Sequence, residues 1–213
     1  MWGLIVKGGP VMVPIIIGSI IGWALVLERL WVFRRMRTVD SYEFVQEIFR
    51  NIKSGNTKSA MQLCEEKIKH PIAAVFKVGI ERRLLPVDRL EKILEQAGNN
   101  QIERLEKFLG AIASIIYIEP LLGFLGTITG LIKAFMSWEH AGANITVNAL
   151  AGGIYEAMIT TAAGLIIAIP LYLFYNYFIN RIKHISNSLN NHAIQLIELF
   201  SETGDSTRQG NRL

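Results

Sequence analysis

The stretch from residue 108 to residue 132 is FLGAIASIIYIEPLLGFLGTITGLI, and its one charged residue is Glu119. It is longer than the roughly 20 apolar residues that a helix needs to cross a bilayer core about 30 Å thick. Two more stretches, 8–27 and 157–180, carry no charged residue at all. The first exceeds the apolar core of a signal peptide, about 7–15 residues, so we expect it to be retained. The sequence therefore predicts an all-α integral membrane protein with three transmembrane helices.

The composition of the rest of the chain agrees with a membrane protein. Of 213 residues, 51% are hydrophobic and 19% are charged, whereas soluble domains carry about 25% charge. This excludes a disordered protein, and the presence of one cysteine excludes a disulfide scaffold. The formal net charge of +4 is typical of basic cytoplasmic segments in a membrane protein.

The orientation of the spans follows from the distribution of Lys and Arg. Most of them lie between residues 33 and 108 or after residue 179, and the segment 134–148 has none. The positive-inside rule places the basic segments in the cytoplasm and the N-terminus outside. The predicted order is an outer N-terminus with the first span (1–32), a cytoplasmic helical domain (33–107), the second span (108–136), an outer loop (137–148), the third span (149–180), and a cytoplasmic C-terminal helix and tail (181–213).

The cytoplasmic segment shows helical periodicity throughout. Apolar residues recur at spacings of three and four in four stretches, which are separated at 54–56, at 70–71 and at Pro86. The last stretch has no strong stop signal before the second span. We expect one long helix that contains Gly98 and runs from the cytoplasm into the bilayer. Cys64 falls on an apolar face, so we expect it in the core of a cytoplasmic helix.

Two carboxylates lie within the predicted spans. An ionised side chain at the centre of a bilayer costs roughly 2.5–3.5 kcal/mol on insertion scales, so such residues suggest a function. Glu119 has an equally good structural interpretation, as an interfacial carboxylate paired with a lysine or arginine. For Glu156 the structural alternatives are snorkelling in the outer leaflet or pairing across a subunit interface.

Threonines and small residues line the second and third spans. Counted inward from the outer loop, Thr127 and Thr161 lie at similar depths, about 15–20 Å. Small residues at helical spacing let helices approach closely; these are Gly123, Gly126 and Gly130 in one span and Gly153, Ala157 and Gly164 in the other. The threonines either pack the hairpin or hydrate a pore, and a pore requires an oligomer. Pro120 and Pro170 predict helix kinks.

No catalytic pattern accompanies these features. The histidines are scattered, and HExxH, P-loop and GxSxG motifs do not occur in the required context. We therefore expect no enzyme, no metal site and no cofactor. A solute transporter is disfavoured because inverted repeats and broken helices are not found.

Two ordered motifs resemble a known family. The segment 120–127 (PLLGFLGT) with 130–132 (GLI) resembles the second-helix motif of the TolQ/ExbB/MotA proton-channel family. The segment 153–157 (GIYEA) with 161–165 (TAAGL) and 168–170 (AIP) resembles its third-helix motif. Three spans with a large cytoplasmic part after the first are most like the ExbB and TolQ branch, and ExbB above all. The four-span MotA branch fits less well.

This resemblance implies a motor subunit of the bacterial inner membrane. Such proteins form a homopentamer around a central pore that holds two single-span ExbD- or TolR-like subunits. Ion flow down its gradient energises a TonB- or TolA-like protein for outer-membrane transport or maintenance, and no nucleic acid is involved. By motif match, Thr127 and Thr161 line the ion path beside a partner aspartate. Glu156 supports assembly or gating.

Two positions depart from the family pattern. Glu119 stands where a small or apolar residue usually precedes the proline, and it is either an inner-end waypoint or a partner for a lysine. Thr160 precedes Thr161 where proton-driven relatives often have alanine. Paired hydroxyls suit a hard cation such as Na⁺. Protons are the expected ion, with a sodium-driven motor and a passive assembly scaffold as the alternatives.

Overall fold

A computed structural model describes residues 7–36, 41–141 and 147–210, with side chains from 7–36, 42–140 and 151–202. Every regular element in these residues is a helix. The seven described helices are α1 (Met12–Met36), α2 (Ser41–Lys53), α3 (Thr57–Glu66), α4 (Pro71–Glu81), α5 (Val87–Glu106), α6 (Leu109–Ala141) and α7 (Val147–Gly210). Parts of the predicted N-terminal segment (1–6), cytoplasmic domain (37–40), outer loop (142–146) and C-terminal tail (211–213) lie outside the described residues.

Three of the described segments are long and apolar enough to cross a membrane. They are Met12–Met36, Val87–His140 and Ala151–Glu202, and each contains a window with mean hydropathy of 1.8 or more. The second of these covers α5 and α6 up to His140, with a turn between them at 107–108. The number of segments agrees with the three predicted transmembrane helices. The α7 helix is continuous, so the third span and the C-terminal helix, predicted as separate segments, form one element.

The chain divides into two compact units. The first contains Met1–Leu30 and Phe108–Phe178, and the second contains Trp31–Lys107 and Ile179–Leu213. In the first unit, α1 packs closely on α7, because a Cβ atom at Gly22 would lie 2.7 Å from Leu171 Cδ1. The rings of Trp23 and Phe174 meet edge to face, with their centroids 5.8 Å apart.

The second unit has its own apolar core, built by α2–α5 and the later part of α7. Large side chains with no more than 2% exposure include Phe44, Phe76, Leu94 and Leu196. Cys64 lies in this core, as predicted. Burying each such side chain contributes roughly 1.5–3 kcal/mol, so this unit is a packed helical domain.

Short breaks at the predicted positions separate the helices of this domain. Gly55 adopts φ +76°, a left-handed conformation that glycine reaches without strain. The Asn56 side chain then caps α3 by accepting a hydrogen bond of 3.3 Å from the Ser59 amide. Pro71 occupies the first turn of α4. Backbone N–H groups in the first turn have no partner within the helix, so the N–H that proline lacks costs no helical hydrogen bond.

The expected continuous helix from the cytoplasmic segment into the second span is wrong. The α5 helix ends at Glu106, and Lys107 and Phe108 form a turn before α6 begins. Phe108 adopts φ 68°, uncommon for a residue other than glycine. The Arg29 guanidinium lies 5.5 Å from the centroid of its ring, a cation–π contact that stabilises this conformation. Gly98 does lie inside α5, as expected.

Candidate functional site

The α6 and α7 helices approach each other at backbone distance along a row of glycines. A Cβ atom at Gly130 would lie 2.7 Å from the Gly153 carbonyl oxygen, and one at Gly153 would lie 2.6 Å from the Gly130 carbonyl oxygen. Likewise, a Cβ atom at Gly164 would lie 2.5 Å from the Glu119 carbonyl oxygen. All six small residues singled out in the sequence are buried: Gly123, Gly126, Gly130, Gly153, Ala157 and Gly164. Side chains larger than hydrogen at the glycines would force the two helices apart.

This close approach brings the two predicted threonines into contact. The Thr127 and Thr161 hydroxyls form a short hydrogen bond with each other, in which either oxygen can donate. Thr161 Oγ1 also lies 3.1 Å from the Gly123 carbonyl oxygen on α6, and Thr127 Oγ1 lies 3.3 Å from the Ala157 carbonyl oxygen on α7. Two hydroxyl oxygens and two carbonyl oxygens therefore converge at one level of the bundle.

Thr160 faces a different direction from its neighbour. Its side chain is fully buried, and its hydroxyl donates to carbonyl oxygens of its own helix, Glu156 at 3.1 Å and Ala157 at 2.9 Å. It packs directly on Gly126, where any Cβ atom would overlap it. The structure thus joins Thr161 to Thr127 and places Thr160 at the helix–helix contact.

Glu156 is paired within this chain, by a lysine outside the third-helix motif. Lys133 on α6 donates a hydrogen bond from Nζ to Glu156 Oε1, so neither snorkelling nor a partner subunit is needed to neutralise this carboxylate. Gly9 lies against the same carboxylate, with φ +67°. A signal was available in the sequence. Lys133 lies six positions after Thr127 and Glu156 five positions before Thr161, so in an antiparallel hairpin the two are at similar depths on facing helices.

Glu119 is buried without the expected cation. Its residue exposure is 1%, and among the described residues its Oε2 atom has no hydrogen-bond partner. Among the described residues, no lysine or arginine forms an ion pair with this carboxylate, so the predicted cation is not found there. The carboxylate instead contacts Gly18 of α1.

Pro120 and Pro170, where helix kinks were predicted, lie inside α6 and α7, and both helices continue past them.

The residues of this site lie in the part of the chain that matches a known protein family. Positions 67–191 match the MotA/TolQ/ExbB proton channel family. This match covers more than half of the chain and includes the close-packed glycines of both helices and the threonine pair. The chain belongs to the MotA/TolQ/ExbB proton channel family.

Individual members of the MotA/TolQ/ExbB family align over most of the chain. The biopolymer transport protein ExbB-like 3 of Synechocystis sp. is 31% identical over 80% of this chain and 81% of its own length. The Tol-Pal system protein TolQ of Haemophilus influenzae is 30% identical over 85% and 83%, respectively. ExbB-like 1 of Synechocystis sp. is 30% identical over 76% of this chain, which spans 64% of that protein.

The chemistry available at the threonine pair is that of neutral oxygen ligands. A threonine hydroxyl neither gains nor loses a proton near neutral pH, so the pair conducts a proton only together with water or an ionisable partner group. Among the described residues, no group of three or more His, Cys, Asp and Glu side chains is arranged to hold a metal ion. In this member of the MotA/TolQ/ExbB family, the candidate site is therefore a contact between α6 and α7 that two threonine hydroxyls line.

Proposed function

We propose that this chain is the channel-forming subunit of an ion-driven motor in the bacterial inner membrane. Five copies surround a pore occupied by two single-span partners of the ExbD or TolR kind, and ion flow energises a TonB- or TolA-like protein. The N-terminus faces the periplasm and the C-terminus the cytoplasm. The observation that carries this proposal is the hydrogen-bonded pair Thr127–Thr161 within the family-matched region.

The threonine pair supplies polar atoms at a level of the spans where its helix neighbours are mostly apolar. A hydroxyl that donates to a carbonyl still has lone pairs to accept from water, so the pair anchors water next to a carboxylate brought by the partner subunit. Proton transfer then proceeds through that water to the partner's acid. The chain's own contribution is to position water, and no proton leaves a threonine.

Sodium is the second candidate, because four oxygens already converge at this level. The hydroxyls of Thr127 and Thr161 and the carbonyls of Gly123 and Ala157 are the hard ligands that Na⁺ prefers. Binding would require the hydroxyl protons to rotate away from the neighbouring hydroxyl and from the carbonyl oxygens. Thr160 adds nothing to this set, since its hydroxyl is directed to its own helix; Thr160→Ala should leave the ion dependence unchanged.

The test is ion flux into proteoliposomes that contain the chain and its co-expressed single-span partner. Thr161→Val keeps the shape and removes the hydroxyl, so we expect assembly at the wild-type level and a loss of flux of about 100-fold, as for removal of one essential polar group. Thr129→Val is the matched control. In the part of the chain that the structure describes, its hydroxyl donates to the Gly126 carbonyl of its own helix, at 3.1 Å, and to no other helix.

Each outcome of this experiment distinguishes a function. Flux that follows the pH gradient and is lost in Thr161→Val supports the proton motor, whereas flux that requires a Na⁺ gradient supports the sodium motor. Wild-type flux in Thr161→Val, with intact assembly, contradicts both. A complex that assembles and conducts nothing in any background identifies a passive scaffold.

A further inference from the structure

The buried carboxyl of Glu119 differs from every other charged group in its unit. The described cations and carboxylates nearest the bundle interior are paired: Arg29 with Glu28, and Lys133 with Glu156. Glu119 has 1% exposure, no ion pair, and an Oε2 atom without a hydrogen-bond partner among the described residues. An ionised carboxylate in this position would have neither solvent nor a counter-charge.

Two glycines, one on α1 and one on α7, leave room for Glu119. On α1, Gly18 faces the side chain, and any Cβ atom at Gly18 would overlap Glu119 Oε1. On α7, Gly164 lies against the main chain of Glu119. The carboxyl therefore occupies space between α1 and α6 that exists because position 18 lacks a side chain.

In the described parts of these three helices, no other charged residue lies within seven positions of Gly18, Glu119 or Gly164. On α1, Glu28 and Arg29 follow Gly18 by ten and eleven positions, about 15 Å along the helix. On α6 itself, Lys133 follows Glu119 by fourteen positions, about 21 Å. On α7, Glu156 precedes Gly164 by eight positions, about 12 Å, and is bound to Lys133. Burial without a counter-charge favours the neutral form of an acid.

We propose that Glu119 is a proton-binding site, separate from the threonine pair, which holds its proton at neutral pH in the contact between α1 and α6. The chemistry is a simple equilibrium: the carboxylate takes up one proton on one oxygen and becomes a neutral carboxylic acid. Loss of that proton leaves a charge against Gly18 and loosens the contact. The site holds whether or not the threonine pair conducts.

The primary test is infrared spectroscopy of the purified full-length chain in lipid nanodiscs at neutral pH. The wild type should show the carbonyl stretch of a protonated carboxylic acid, shifted in D₂O, and Glu119→Gln should lack it. Glu156→Gln is the matched control and should keep the band, because Glu156 is paired with a lysine. Glu119→Asp, which retains an acid, should keep the band at a changed frequency.

Thermal unfolding supplies a second, independent readout. Glu119→Gln should unfold near the wild-type temperature, since an amide resembles the neutral acid, and Glu119→Lys should unfold well below it. Gly18→Ala should lower the unfolding temperature, and adding Glu119→Ala should restore part of the loss by vacating the space. The proposal is overturned if the wild type lacks the carbonyl band, or if the band persists in Glu119→Gln. It is also overturned if Glu119→Gln lowers the unfolding temperature as much as Glu119→Lys does.

Discussion

Lys133 on α6 and Glu156 on α7 form an ion pair that closes the hairpin on the side of the threonine pair nearer the outer loop. The Glu156 side chain is 14% exposed and the Lys133 side chain 48%, so the carboxylate is sheltered while the ammonium group reaches solvent or headgroups. The pair lies between the close glycine contact of Gly130 with Gly153 and the N-terminal segment at Gly9. It neutralises the one carboxylate that the third-helix motif carries, within the same subunit.

Reversing the charge at position 133 should damage this closure. Lys133→Gln removes a half-exposed partner and should cost about 1 kcal/mol or less. Lys133→Glu places two carboxylates together and should lower the unfolding temperature further, with partial recovery in the swap Lys133→Glu with Glu156→Lys. Thermal unfolding of the detergent-purified chain measures all three. Equal effects of Gln and Glu would show that the pair does not hold the hairpin.

The glycine contact between α6 and α7 predicts a sharp difference between neighbouring positions. Gly153→Ala would place a Cβ atom 2.6 Å from the Gly130 carbonyl oxygen and should destabilise by about 1–3 kcal/mol through overpacking. Gly152→Ala is the matched control, because a Cβ atom there has no neighbour within 4 Å. Unfolding temperatures of the two variants test this. Comparable losses would place the helix contact elsewhere.

The buried thiol of Cys64 predicts resistance to modification. Burial raises the pKa of this thiol to about 12, and the thiolate is the reactive form. Because Cys64 is the only cysteine, maleimide labelling of the folded chain should be negligible at neutral pH and complete after denaturation. Mass spectrometry of the intact chain measures the labelled fraction. Rapid labelling without denaturant would show that the α2–α5 core opens readily.

His70 predicts a loss of stability in acid. Burial, and secondarily the charge of Lys67, lowers its pKa from the ordinary 6.5. As pH falls through 6.5, the unfolded chain takes up this proton before the folded chain does, so stability decreases from that point downward and is unaffected above it. The unfolding temperature should fall as the pH decreases below about 6.5, and His70→Gln should reduce the slope. An unchanged slope in His70→Gln contradicts this assignment.

Much of the architecture followed from one-dimensional patterns. The apolar stretches predicted the three long apolar segments, and glycine and proline at 55, 71 and 86 marked the ends of short helices. The threonines and small residues of the second and third spans were selected from their depth and spacing. Their contact followed because an antiparallel hairpin aligns equal depths on its two helices.

Other features needed the third dimension. Nothing in the residue types at Lys107 and Phe108 signals a break, since neither glycine nor proline is present. The turn there has Phe108 at positive φ, with its ring against Arg29. The sequence suggested that the Thr160 and Thr161 hydroxyls act as a pair. In the structure they point to different partners, because adjacent helix positions differ by about 100° in direction.

By itself the sequence determined the helical membrane class, the number of apolar segments and the family motifs, because these depend on hydropathy and spacing along one chain. The tertiary structure decided which polar groups find partners. It gave Glu156 a lysine, gave Thr127 and Thr161 each other, and left Glu119 against a glycine of α1. The physical reason is that pairing depends on the rotation and separation of packed helices, and those are set by which glycines let the backbones touch.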